Sequence, residues 1–264
     1  MKPPAPPAGR PRPAFPASLN QVVGQAASLA PARGATRPAP AATLQVPSGA
    51  GMDSSAVRQA MVRKLAAQGL QHPAVLQAFA AVERHRFVDS ALVAQAYEDT
   101  SLPIGLGQTI SKPSVVGRML ELLCECPLVA TGRVLEIGTG CGYQAALLAQ
   151  VCREVYSMER LRGLHDKARE HLRPLRLPNV HLIFGDGMLG FPGGGPYAGI
   201  VAAAGGHALP QPWLDQLAVG GRLVAPAELV PGRQSLVVVD RTPQGYLKNV
   251  LEGVWFVPLK SGIA

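Results

Sequence analysis

An α/β fold is predicted, with a doubly wound, mostly parallel sheet, a C-terminal antiparallel hairpin and an N-terminal helical cap. Three observations predict it. Short apolar runs alternate with helix-patterned ones between residues 133 and 225, and strands joined through helices pair in parallel. Two strand-like runs near the end are separated only by the turn Thr242-Pro-Gln-Gly245, so they should pair antiparallel at an edge. Glycines 138, 140 and 142 follow the first apolar run of the alternation, where a strand hands over to a helix and backbone approaches a ligand.

The segment that precedes this pattern has a different character. The first fifty residues carry eleven of the 25 prolines, and no Asp or Glu occurs before Asp53, while Lys2, Arg10, Arg12, Arg33 and Arg37 make the segment basic. Such a composition buries too little apolar surface to offset its ordering entropy. Residues 1–53 are therefore expected to be a disordered Pro/Ala-rich arm, and residues 54–264 the domain. In the domain Val57, Met61 and Leu65, then Val75, Leu76, Phe79 and Val82, recur at helical spacing around the breakers Gly69 and Pro73, which gives the cap. Residues 87–96 continue the helical pattern. Residues 97–111 are too rich in Gly and Pro for regular structure and are expected to be an ordered loop, after which Pro113 opens a helix through Leu123. The alternation then reads strand 133–137, helix 143–151, strand 154–158, helix 161–172, strands 180–184 and 198–203, helix 212–217 and strand 221–225. Runs 235–240 and 249–257 make the hairpin.

The formal charge of +8 divides evenly. Five Lys/Arg against Asp53 leave +4 on the arm, and the other 20 Lys/Arg against 16 Asp/Glu leave +4 on the domain. The basic stretch from Arg160 to Arg176 is interleaved with Asp166 and Glu170, the pattern of a solvated helix face. Nucleic acid is accordingly not an expected partner. No run of eighteen apolar residues predicts a membrane span, and the N-terminus lacks a secretory layout, so the cytoplasm is the expected compartment. Cys124, Cys126, Cys141 and Cys152 lack Cys-x-x-Cys spacing and are read as reduced thiols acting as small hydrophobes. The six scattered histidines match no metal-ligand spacing and are read as non-catalytic, and no metal is expected.

A glycine-rich turn after a first strand is Rossmann-like and by itself admits two cofactor classes. Here the spacing is Gly-x-Gly-x-Gly, without the Gly-x-x-Gly step that seats a pyrophosphate on a helix N-terminus. Glu136, inside the first strand's end, would repel a pyrophosphate but suits the cationic methionine moiety of a sulfonium cofactor. S-adenosylmethionine is the cofactor so favoured, with Glu136, Gly138, Gly140 and Gly142 around its methionine end. Glu159 closes the second strand, where an acid accepts ribose hydroxyls, and Asp186 with Gly187 follows the third, where methyltransferases, which this layout resembles, use an acid and adjacent backbone to read adenine.

The stretch Ala96-Tyr-Glu-Asp-Thr-Ser-Leu-Pro-Ile-Gly-Leu-Gly-Gln-Thr-Ile-Ser-Lys-Pro113 resembles the signature of the protein-L-isoaspartate O-methyltransferases. The lead-in Ala80-Ala-Val-Glu-Arg-His-Arg-Phe-Val-Asp89 and the terminal Phe256-Val-Pro-Leu259 resemble the same family, and the resemblance covers residues 54 to 264. It implies a class I methyltransferase fold and methyl transfer to the free carboxylate of L-isoaspartyl residues in damaged peptides and proteins, the first step of their repair. A carboxylate is already ionised at neutral pH, so no general base is needed. Ser111 is the expected catalytic residue, its hydroxyl donating to one carboxylate oxygen; its competing role is to cap the helix that Pro113 opens. Ile104, Gly105, Gly107, Gln108, Thr109 and Ile110 are the expected substrate-binding residues, and a monomer is expected. One stretch departs from the family pattern: Ala198-Gly-Ile-Val-Ala-Ala-Ala-Gly205 lacks the usual acid and threonine, and Gly205-Gly206-His207 replaces a proline-containing turn. Two other readings therefore stand beside the first, a methyltransferase with a different carboxylate acceptor and an inactive cofactor-binding module.

Overall fold

The computed structural model describes residues 55–264, and the arm expected over residues 1–53 lies outside the described residues. Helices α1 (Ser55–Ala67) and α2 (Pro73–Ala81) and two 3-10 turns, Arg84–Phe87 and Ser90–Gln95, form the N-terminal cap. Met61 and Leu65 of α1 and Val75 and Phe79 of α2 are buried, the face that their spacing selects. In place of the helical continuation expected over 87–96, the 3-10 turns bring Ala96 back within 2.8 Å of the Arg84 side chain.

Residues 97–111 also differ from expectation, because they hold a small hairpin. β1 (Leu102–Gly105) and β2 (Gln108–Ile110) pair antiparallel, with Leu102 opposite Ile110 and Pro103 opposite Thr109. Strands of four and three residues are too short to show a period in the sequence. The turn between them puts Leu106 in the left-handed region at φ 51° and leaves its side chain exposed.

Helix α3 (Pro113–Cys124) and a single turn, α4 (Leu128–Thr131), lead into the main sheet. There β3 (Arg133–Ile137), α5 (Tyr143–Leu148), β4 (Glu154–Glu159), α6 (Arg162–Leu172) and β5 (Val180–Phe184) alternate as predicted, followed by β6 (Tyr197–Ala202), α7 (Gln211–Gln216) and β7 (Leu217–Val230). β8 (Arg233–Thr242) and β9 (Gly245–Val254) form the antiparallel hairpin around the predicted turn. Strand order is β5-β4-β3-β6-β7-β8-β9, parallel from β5 through β7.

This order explains how the layers are covered. The chain moves outward from β3 to β5 and then returns to build β6 and β7 on the other side, and right-handed crossovers put helices of opposite travel on opposite faces. Residues alternate accordingly: Val134 and Val201 join the core beneath α3, α5 and α6, whereas Leu135, Ile200 and Trp213 of α7 join the other. Between β5 and β6 only 3-10 turns occur, so α7 and those turns cover the second face. The strand order reverses between β3 and β6, and the carboxyl ends of strands at such a reversal are where open α/β sheets bind ligands.

Candidate active site

A cavity of about 410 Å³ opens at that reversal. Its floor is the end of β3 with Gly138 and Gly140, and its sides are Met158 and Glu159 of β4, Gly187 after β5, and Ala203 after β6. Ala203 N donates to Ile137 O (2.8 Å), which fixes the two strand ends together. The tip of the β1–β2 hairpin covers one side with Ile104, Leu106 and Gly107, and the terminal segment Val257–Lys260 covers another. Lys167 holds the hairpin in place, its Nζ donating to Ile104 O (3.0 Å) and Asp89 Oδ1 (2.9 Å).

The glycines have separate duties. Gly140 has φ 57°, and a Cβ on it would stand 3.2 Å from Ile104 Cδ1 across the cavity, so a side chain there would both strain the backbone and fill the cradle. Gly142, with φ 92°, caps α5 from outside the cavity, where a Cβ would meet Leu172 at 3.0 Å. It packs helix against helix there and does not line the cavity, whereas a cofactor contact is what the sequence leads one to expect. Gly187 is pinned by the indole of Trp213, which donates to its carbonyl (2.7 Å).

The three acids differ more than their common place at strand ends suggests. Glu159 lines the cavity, but its Oε2 accepts from Gly140 N (2.9 Å) and its Oε1 from Arg160 N and Leu161 N (both 2.9 Å). Those bonds position the carboxylate and leave part of its acceptor capacity for a diol. Glu136 is wholly buried behind the cavity wall and does not line it. Ser157 donates to its Oε2, its Oε1 is buried without a hydrogen bond, and burial pushes its carboxyl up to about 8 against the opposing pull of Ser157 and Gln144. Asp186 also stands outside the cavity lining: its Oδ1 accepts from Met188 N (2.9 Å) and its Oδ2 from Gly262 N (2.6 Å). It anchors the terminal strap, which is held further by Ala264 N donating to Arg160 O and Arg162 N to Ala264 O.

A second, open groove of about 930 Å³ joins the cavity at Thr109, Ala203, Val257 and Pro258. Ser111 lies in this groove and in a small cleft beside Gly138 and Tyr143. Its hydroxyl makes no hydrogen bond to the described residues; the helix-capping task falls to Asp99, whose Oδ1 accepts from Ser114 N (2.9 Å). Ser111 is located through its backbone, because Arg84 Nη2 donates to its carbonyl (2.8 Å). Arg84 is fully buried, and it also donates to the carbonyls of Ala96 and Thr100. Of the residues expected to bind substrate, Ile104, Gly107 and Gln108 face the cavity and Thr109 faces both spaces; Ile110 lines the small cleft and Gly105 lines neither.

The altered strand end resolves into two unequal parts. Ala198 sits at the start of β6, remote from the cavity end, packed beside Gly132 and Cys126, so an acid lost there is away from the chemistry. Ala203 lies at the junction of the cavity, the cleft and the groove. Gly205 and Gly206 carry the strap, with Gly205 N donating to Val257 O (2.9 Å) and Leu259 N to Gly205 O (2.8 Å).

Sequence reasoning did not assign roles to Arg84, Lys167, Ala203 or the strap. The strap left a signal in Phe256-Val-Pro-Leu259, and Arg84 in the lead-in Ala80 to Asp89, with no role attached to either. All four cysteines are free, and burial raises the thiols of Cys124 and Cys152 to about 12 and Cys141 to about 11. Among the described residues no group of His, Cys, Asp or Glu is placed to hold a metal ion, and no helix is long and apolar enough to cross a membrane.

A glycine loop at the strand-order reversal, an acid closing β4 and an antiparallel finish to a parallel sheet define the class I methyltransferase fold. Within that class, the sequence model of the family described as protein-L-isoaspartate(D-aspartate) O-methyltransferase matches residues 56–264, and the chain belongs to this family. A protein-L-isoaspartate O-methyltransferase of Methylibium petroleiphilum is 55% identical over 262 residues, 96% of this chain and 97% of that one. One from Leptothrix cholodnii is 60% identical over 217 residues, 81% of this chain and 77% of that one. A solved protein-L-isoaspartate O-methyltransferase is 28% identical with a TM-score of 0.71, over 78% of this chain and 67% of that one. A Plasmodium falciparum structure, titled as a putative protein of this family in complex with S-adenosyl-L-homocysteine, shares the fold at 24% identity and a TM-score of 0.69, over 77% of this chain and 98% of that one.

Proposed function

We propose that this chain uses S-adenosylmethionine to methylate the free carboxylate of L-isoaspartyl residues in damaged peptides and proteins, which starts their repair. The observation that carries the reading is the meeting of a cavity and a groove at Thr109 and Ala203, with the unpaired Ser111 hydroxyl on the groove side.

The cavity residues fit the cofactor. Gly138, Gly140 and Gly187 offer backbone where side chains would intrude, and Glu159 presents a carboxylate. S-adenosylmethionine, when bound, supplies an electrophilic methyl whose transfer to a carboxylate oxygen leaves a neutral thioether. The acceptor is already ionised at neutral pH, so the protein has no proton to remove. Its work is to hold the acceptor in line and to exclude water. Ser111 donates from its hydroxyl to one carboxylate oxygen and leaves the other directed at the cavity. Arg84 keeps the Ser111 backbone fixed while that happens. The groove is open along its length, which admits a peptide main chain on either side of the reacting residue.

Incubating the protein with labelled S-adenosylmethionine and a short L-isoaspartyl peptide should give a base-labile methyl ester, and the same peptide with normal aspartate should stay unlabelled. Equal labelling of both peptides would contradict the reading.

A further inference from the structure

Trp255 stands at the outer part of the groove and is 87% exposed, the most exposed of the large apolar side chains described. Its indole makes no hydrogen bond or ring contact among the described residues. An exposed aromatic of this size offers a large apolar face to whatever enters the groove. The backbone beneath it is rigid. Phe256 is buried next to it, and the Gln234 side-chain amide clamps Phe256 from both sides, accepting from its N–H (2.8 Å) and donating to its carbonyl (3.2 Å). Two glycines, Gly232 and Gly253, line the same groove, and a Cβ on the first would meet nothing within 4 Å and one on the second only a backbone oxygen at 3.9 Å. Val254 extends the apolar wall, and Lys112 and Arg233 border it.

This same groove contains Thr109 and Ser111 at its inner end. An occupant that lies along it therefore reaches the indole and the reacting site together. The occupant with that property is the substrate chain itself. We propose that Trp255 forms a subsite for an aromatic or large apolar side chain near the isoaspartyl residue, and so makes the enzyme discriminate between damaged sites by their neighbours. The proposal rests on the isoaspartyl methyl-transfer reading given above and adds a flanking preference to it. Ring stacking and shared apolar burial supply the attraction, and an aromatic side chain loses little conformational freedom on docking.

The test is a set of isoaspartyl peptides of otherwise glycine sequence, with one phenylalanine scanned singly through the two positions on each side of the isoaspartate. The wild-type protein is expected to favour the best phenylalanine peptide over the all-glycine peptide by about fivefold in kcat/KM, with the gain mainly in KM. In Trp255→Ala that ratio falls to about one, and Trp255→Phe restores most of it. Affinity for S-adenosylhomocysteine, measured on each variant, reports that the fold is intact. A phenylalanine preference that survives in Trp255→Ala overturns the proposal, as does a wild-type protein that methylates all the peptides equally. Methylation of none of them by the wild type would instead overturn the underlying reading of the activity.

Discussion

Ser111 has a free hydroxyl because other residues do the local structural work. Asp99 caps α3, and Arg84 holds the Ser111 carbonyl. Ser111→Ala is therefore expected to lower kcat on an isoaspartyl peptide at least about tenfold, equivalent to ~1.4 kcal/mol of transition-state stabilisation, and to leave S-adenosylhomocysteine affinity within about twofold. Unchanged turnover would remove Ser111 from the mechanism. Arg84 is a buried cation whose hydrogen bonds go to backbone carbonyls, and burial pulls its pKa down against the influence of Tyr143, Cys141 and Asp99. Removing a buried charged donor leaves its acceptors unpaired, so Arg84→Ala should cost on the order of 3 kcal/mol in chemical denaturation. Arg84→Lys keeps the charge but cannot span three carbonyls with one ammonium, and it should recover much of the stability while kcat stays several-fold low. A full recovery of kcat would show that Arg84 is only structural. Ser111 is picked out in the sequence by the uncommon motif it sits in, and the substitution above tests the role expected of it. The arrangement of Glu136 and Asp186 is not legible there: both are read as cofactor contacts, and the fold shows the first buried behind the cavity wall and the second bonded to the strap.

The elements around the cavity divide into those with a sequence period and those without. β3, β4 and β5 follow from apolar runs, and their observed bounds agree with the predicted ones to within a residue. The β1–β2 hairpin and the terminal strap have no period to read, because each is held by its partners: Lys167 for the hairpin, and Gly205, Arg160 and Asp186 for the strap. β7 runs to fourteen residues where the sequence suggests five, because it is paired on both sides, with β6 and with β8. The strap makes a specific prediction at this scale. Asp186→Ala frees Gly262 N and should weaken S-adenosylhomocysteine binding about tenfold, with turnover at saturating cofactor little changed. Removing residues 261–264 takes away Gly262 together with the Ala264 bonds to Arg160 and Arg162, so it should cost at least as much, and adding Asp186→Ala to it should cost little more. Additive losses in calorimetric titration would mean that Asp186 acts on the cofactor directly.

At the scale of the whole molecule, the sheet order puts the site at a reversal, and that follows from the sequence once the alternation of strands and helices is read. The altered stretch at β6, by contrast, could be judged only in the folded molecule, where Ala203 is at the junction and Ala198 at the far end of the strand. The buried Glu136 links the fold to pH. Its folded pKa of about 8 lies above the ordinary 4.5, so the folded protein keeps a proton that the unfolded chain has lost between those values. The stability this contributes is fully present below about pH 4.5 and is lost as pH rises toward 8. The stability of wild type relative to Glu136→Gln should therefore decline with rising pH across that window, by at most about 1.4 kcal/mol per unit. A difference independent of pH in urea titrations would show that Glu136 is ionised in the fold. The central claim is the division of labour between cavity and groove, and a crystal structure with S-adenosylhomocysteine and an L-isoaspartyl peptide tests it most directly. The nucleoside is expected in the cavity beside Glu159, the peptide along the groove, and the isoaspartyl carboxylate on the Ser111 hydroxyl next to Ala203. A peptide bound elsewhere, or a carboxylate turned away from Ser111, would contradict it.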